Sequence, residues 1–131
     1  YNNDVYLSAS DNASITNDVA NSGITYSNNI IYKLGTGGYG TGGTWTHNVF
    51  YGNHPASEPT DSSKLTTDPL FVSPGSGGAG RSSATGYELK TGSPAIGSGI
   101  LISSNGGLDF FGNTVSGTTA SDRGAYNGPP Q

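Results

Sequence analysis

The feature that most constrains this chain is an internal repeat. Tyr26-Ser27-Asn28-Asn29-Ile30-Ile31-Tyr32 and Trp45-Thr46-His47-Asn48-Val49-Phe50-Tyr51 match as aromatic, hydroxyl, polar, Asn, aliphatic, apolar and Tyr at an offset of 19. Asn2-Asn3-Asp4-Val5-Tyr6 fits the same template 26 residues before Asn28-Asn29-Ile30-Ile31-Tyr32, with Asp4 standing where the other copies carry an aliphatic residue. Asp68-Pro69-Leu70-Phe71-Val72 is a fourth, weaker copy. Each copy is a short β-branched or aromatic run, preceded by a turn-forming residue and followed by Gly-rich or Asn-rich sequence, which predicts a short strand. The same residue returning at the same place in successive strands suits a coiled solenoid, where equivalent residues stack turn upon turn. Asn tolerates the left-handed backbone of a tight corner, and its amide bonds to the amide above and below. Asn29 and Asn48 are therefore read as a corner ladder.

Composition narrows the function. Of 131 residues only 11% are charged, against about 25% in an average domain, and Gly, Ser, Thr and Asn make up half the chain. The length fits one domain. With 22 Gly and 7 Pro the chain is rich in turns, but eight Tyr, four Phe and one Trp argue for a packed, non-helical interior. The net charge is −4, and the five basic residues, Lys33, Lys64, Arg81, Lys90 and Arg123, are scattered along the chain. That leaves no basic patch for a phosphate backbone, so nucleic acid is not an expected partner. No apolar run approaches the roughly 18 residues of a membrane-crossing helix, and no membrane partner is expected. Without Cys there is neither a disulfide framework nor a thiolate metal site.

At this point the residues resemble a known family, the right-handed parallel β-helix proteins of the pectate-lyase-like group, mostly secreted polysaccharide lyases and glycosidases. Asn-Asn-Ile-Ile-Tyr and His-Asn-Val-Phe-Tyr-Gly-Asn look like its repeating turns. The tail resembles its closing segment in Asp68-Pro69-Leu70-Phe71, Gly86-Tyr87-Glu88-Leu89, Gly92-Ser93-Pro94-Ala95-Ile96-Gly97, Asp109-Phe110-Phe111-Gly112-Asn113 and Asp122-Arg123-Gly124-Ala125-Tyr126. The expected fold is all-β: solenoid turns over 1–72 and an irregular closing segment over 73–131 of the same domain. The resemblance implies an extracellular protein acting on polysaccharide by hydrolysis or β-elimination, this chain capping the solenoid and completing the groove. Because the first strand begins almost at Tyr1, the chain reads as a C-terminal part whose partner is the N-terminal remainder of the same β-helix, as a separate chain or not. The alternative is a non-catalytic glycan-binding or structural solenoid.

Site candidates are few. Catalytic residues stay unknown: the Asn-Thr-Asp, Asp-Asp and Gly-His-Gly motifs of the group's hydrolases do not occur, nor does a central Asp cluster like that of its lyases. No cofactor is evident, although the lyases of the group bring calcium into consideration, and no metal ligand is assigned. Sugar rings stack on aromatic faces, which nominates Trp45, Tyr39 and Tyr51, with an aromatic stack inside the wall as the structural alternative. His54 is a candidate for lining a groove, and Arg81 for bonding a sugar. Glu58, Asp61 and Lys64 share a loop with His54 and carry acid, base or calcium-binding chemistry in principle, or simply a solvated loop. His47 stands where the preceding copy has Asn28 and reads as a corner residue. Gly35-Thr36-Gly37-Gly38-Tyr39-Gly40 has the letters of a phosphate cradle but runs into a strand rather than a helix, so it reads as a turn. Asn12-Ala13-Ser14 is a glycosylation sequon, with Asn12 as its acceptor.

Overall fold

The computed structural model describes residues 1–15 and 23–131. Five short strands form: β1 (Asp4–Leu7), β2 (Thr25–Ser27), β3 (Ile30–Lys33), β4 (Thr44–Thr46) and β5 (Val49–Gly52). They make a three-stranded parallel sheet in the order β1-β3-β5 and a two-stranded parallel sheet, β2-β4. The only regular helix among the described residues is a 3-10 segment, Arg81–Tyr87. The chain is all-β.

The register follows the sequence template. Asp4 pairs with Ile30 and Ile30 with Val49, Tyr6 with Tyr32 and Tyr32 with Tyr51, and on the other sheet Tyr26 with Trp45. Between the two sheets the chain turns on one residue per copy with left-handed backbone: Asn2 (φ 53°), Asn28 (φ 54°) and His47 (φ 55°). Asn and His are among the side chains that visit this region most readily. The corner residue is thus the first of each polar pair, and the following Asn carries the side-chain bonds described below.

The fourth copy departs from the template. Pro69 has no N–H to give a ladder, Asp68 Oδ1 accepts the Leu70 N–H (2.8 Å), and Leu70 has φ 56°. A turn results, and Phe71 makes an isolated antiparallel bridge to Leu89. The place beside Val49 is taken by Leu65, in a parallel bridge.

Because strand side chains alternate between faces, the three-stranded sheet buries both. On one face Ile31 and Phe50 pack with Tyr39, Val5, Ile15 and Trp45. On the other, Ile30 and Val49 pack with Phe71, Leu89, Ala95 and Tyr126. The closing segment therefore lies across a face of the sheet and contributes half of that core. Arg123 pins it there: Nη1 donates to the carbonyls of Asn48 (2.9 Å) and Ser63 (2.8 Å), and Nη2 to Ser98 (2.9 Å). Burial lowers the pKa of this guanidinium from its ordinary value, against the opposing pull of Asp61.

Candidate functional site

The expected candidates divide into those that hold the fold together and those left at the surface. At the corner, Asn3, Asn29 and Asn48 form one line. Both the backbone N–H and Nδ2 of Asn3 donate to Asn29 Oδ1 (3.1 and 3.0 Å), and the same two groups of Asn29 donate to Asn48 Oδ1 (3.0 and 2.9 Å). Asn48 repeats the pattern onto Asp61 Oδ2 (2.9 Å from each). Asp61 also accepts from the backbone N–H groups of His47 (3.2 Å) and Ser63 (2.9 Å). Its carboxylate ends the line of amides, buried and accepting four hydrogen bonds there.

The aromatic candidates pack into the walls. Tyr39 is 7% exposed, so it offers no face to a sugar and its ring belongs to the interior. Trp45 is half-buried, stacked on Tyr26 with centroids 4.0 Å apart and planes 13° from parallel. Tyr51 meets the Tyr32 ring edge-on at 4.7 Å. Gly35 and Gly37 need their glycine because a β-carbon there would strike the carbonyls of Asp11 and Ala13. Asn12 is exposed, and its Oδ1 accepts the Thr36 hydroxyl (2.6 Å).

In the loop after β5, His54 Nδ1 and Lys64 Nζ each lie 2.6 Å from a Glu58 carboxylate oxygen. The His54 and Lys64 side chains are substantially exposed while that of Glu58 is only 7% exposed, so the two hold the Glu58 carboxylate at the edge of the surface. Arg81 lies on the rim of a shallow depression shared with Glu88, Phe111, Asn113 and Tyr126.

The structure assembles a different place that the sequence did not single out. The start of the chain and the closing segment enclose a cleft of about 420 Å³. One wall is Asn2, Asn3, Asp4 and Tyr6; the other is Ala84, Tyr87, Phe110, Phe111 and Ala125. Tyr6 and Tyr87 meet at 6.3 Å and Phe110 and Phe111 at 5.3 Å, and Phe110 is 54% exposed.

Asp4 supplies the polarity. Its Oδ1 accepts the Ala125 N–H (3.2 Å). The residue as a whole keeps partial exposure, but Oδ2 is shut off from water and has no partner, and the same holds for Asn2 Oδ1. Burial drives the Asp4 carboxyl up to about 8, only partly opposed by the Ala125 bond. Nearby Asp109 is fully engaged: it accepts from the backbone N–H groups of Phe111, Asn113 and Asn127 and from Asn113 Nδ2. The one sequence signal for this site is Asp4 itself, a carboxyl in a strand position that Ile30 and Val49 fill in the other copies.

Comparison of the chain with protein-family models gave no match, and comparison with curated proteins gave none either.

Proposed function

We propose that this chain is the closing portion of a secreted, carbohydrate-active parallel β-helix protein, and that its own contribution is to bind glycan in the Asp4 cleft. Support for the solenoid reading comes from the parallel register at the template's offsets and from the line of amides at the corner. The carrying observation for glycan is the cleft's lining: the rings of Tyr6, Tyr87, Phe110 and Phe111, a surface on which sugar C–H faces stack, beside the polar residues Asn2, Asn3 and Asp4. Cleavage of glycosidic bonds, by hydrolysis or β-elimination, is assigned to residues outside this cleft. Hydrolysis uses a pair of carboxyl groups, and among the described residues lining the cleft Asp4 is the one carboxyl.

Titration calorimetry with neutral and charged oligosaccharides tests this reading. Phe110→Ala removes the exposed ring and is expected to weaken binding about tenfold, the equivalent of one aromatic contact. Trp45→Ala should leave the affinity unchanged, since that ring is stacked within the wall. Absence of binding to every oligosaccharide, or binding indifferent to Phe110→Ala, would overturn the proposal.

A further inference from the structure

We infer that the outer edge of β1 is a docking site for one further parallel strand, supplied by a partner polypeptide that carries this chain's own template: an Asn followed by an aliphatic, an apolar and an aromatic residue. The inference goes beyond the glycan reading and rests on the parallel register alone.

The two ends of the three-stranded sheet differ. At the β5 end the place beside Val49 is filled by Leu65, and Asp61 closes the line of amides. At the other end β1 pairs with β3 and, among the described residues, with no other strand. The carbonyls of Asn3 and Leu7 accept the Ile30 and Leu34 N–H groups (2.9 Å each). Backbone direction alternates along a strand, so Asp4 and Tyr6 turn their N–H and C=O outward, the groups to which an added strand bonds. Exposure shows the same asymmetry. Ile30 and Ile31 of β3 and Val49 and Phe50 of β5 are buried, whereas every residue of β1 is half-buried and Asn3 is exposed. Leu108, Phe110 and Tyr1, the three most exposed large apolar side chains among the described residues, line one hollow beside Asn2 at this end.

The line of amides names the occupant. Asn29 Oδ1 and Asn48 Oδ1 each accept two donors from the preceding copy, a backbone N–H and an Asn Nδ2. Asn3 Oδ1 stands at the open end of that line, on an exposed residue, and accepts no donor from the described residues, while its Nδ2 donates to Asn29 and to the Tyr1 carbonyl. An Asn brings both donors to that place; an ionised Asp brings only acceptors on its side chain. Three residues on, the rings of Tyr6, Tyr32 and Tyr51 form a column with centroids 5.5 and 4.7 Å apart, which an aromatic residue extends. A second copy of this chain does not fit. Leu65 closes its β5 edge, so copies do not stack head to tail, and two β1 edges related by a two-fold axis run antiparallel, which takes their lines of amides out of register. Asn2, Asn3, Asp4 and Tyr6 also line the cleft, so a docked strand and an oligosaccharide exclude one another.

The test is amide chemical-shift titration of the full chain with the capped peptide Ser-Asn-Asn-Ile-Ile-Tyr-Lys-Leu, the sequence of residues 27–34, whose second Asn falls over Asn3. Binding is expected, with hydrogen exchange at the Asp4 and Tyr6 amides slowed at least about tenfold at saturation. A peptide with Asp in place of that second Asn should bind at least about tenfold more weakly. Methylating the backbone nitrogen of the peptide's fifth residue, which faces β1, should abolish binding, and methylating that of the sixth, which faces away, should change the affinity by less than about threefold. Absence of peptide binding, or binding indifferent to the Asp exchange and to the site of methylation, would overturn the inference. So would a dimer of the chain alone in sedimentation equilibrium with its Asp4 and Tyr6 amides protected, which would give the edge to a second copy. Either failure leaves the glycan reading to be decided by oligosaccharide binding measured without peptide.

Discussion

The corner line and the cleft wall meet in the first copy, where Asn3 of the line stands between Asn2 and Asp4, yet line and wall treat polar atoms in opposite ways. At the corner, Asn3, Asn29, Asn48 and Asp61 give every amide in the line a partner in the next copy, and the carboxylate at the end accepts four donors. At the cleft, Asn2 and Asp4 each leave a shielded oxygen without one. Buried polar atoms are nearly always satisfied, and an orphan costs about 1–3 kcal/mol. The first arrangement spends its polarity on holding the chain in register, and the second keeps polarity in reserve. On the function proposed above, that contrast separates a structural from a functional use of the same residue types.

The largest effect expected from breaking the contrast is at the corner. Asn48→Leu strips the Asn29 donors of their acceptor and Asp61 of its Nδ2 donor, the backbone N–H remaining, and should cost about 3 kcal/mol in chemical denaturation. A change below about 0.5 kcal/mol, the scale of ordinary surface substitutions, would mean that the line carries no stability.

At the cleft the sign reverses. The unfolded chain releases the Asp4 proton near the ordinary carboxyl value, while the folded chain holds it up to about 8. Between those values the folded state binds the extra proton, so stability falls as pH rises from about 4 to about 8 and levels off above it. Asp4→Asn removes that penalty and should stabilise the protein at pH 7 by about 1–3 kcal/mol, with relaxation keeping the gain below the full linkage value. Denaturation midpoints at pH 5 and pH 8 check both the sign and the loss of pH dependence in the variant.

The aromatics give a finer division. Trp45→Ala should lose about 2 kcal/mol by breaking the stack on Tyr26 and the contacts to Phe50 and Tyr39, read as a lower melting temperature. Phe110→Ala, at a ring more than half exposed, should change stability by less than about 1 kcal/mol. The smallest effect belongs to Arg81→Ala on the rim, within about 0.5 kcal/mol by the same measurement.

Much of the fold was legible because it is a repeat. The offsets of 19 and 26 residues are the spacings at which the strands pair, since one template of apolar alternation admits only one register without turning its side chains to the wrong face. Legibility stopped where the repeat did. Asp68-Pro69-Leu70-Phe71 has the apolar letters of a strand, but proline and an Asp-capped turn override them. Asp61 read as a loop carboxylate with acid or base potential, because nothing local tells that the loop folds back to end the line of amides. The cleft was least readable of all: it joins residues 2–6 to 84–87, 110–111 and 125, and such long-range meetings leave no trace in local pattern. What the sequence did carry was one anomaly, a carboxyl at Asp4 in an aliphatic position, and tertiary burial is what shifts that carboxyl from its ordinary range.

The most direct test of the central claim is to map, by amide chemical-shift changes in solution, where an oligosaccharide touches the chain. The account predicts shifts concentrated at residues 2–6, at Tyr87, at Phe110 and Phe111 and at Ala125, with Trp45, Tyr39 and Tyr51 unmoved. Shifts centred on the Tyr26–Trp45 wall, or none at saturating sugar, would contradict it.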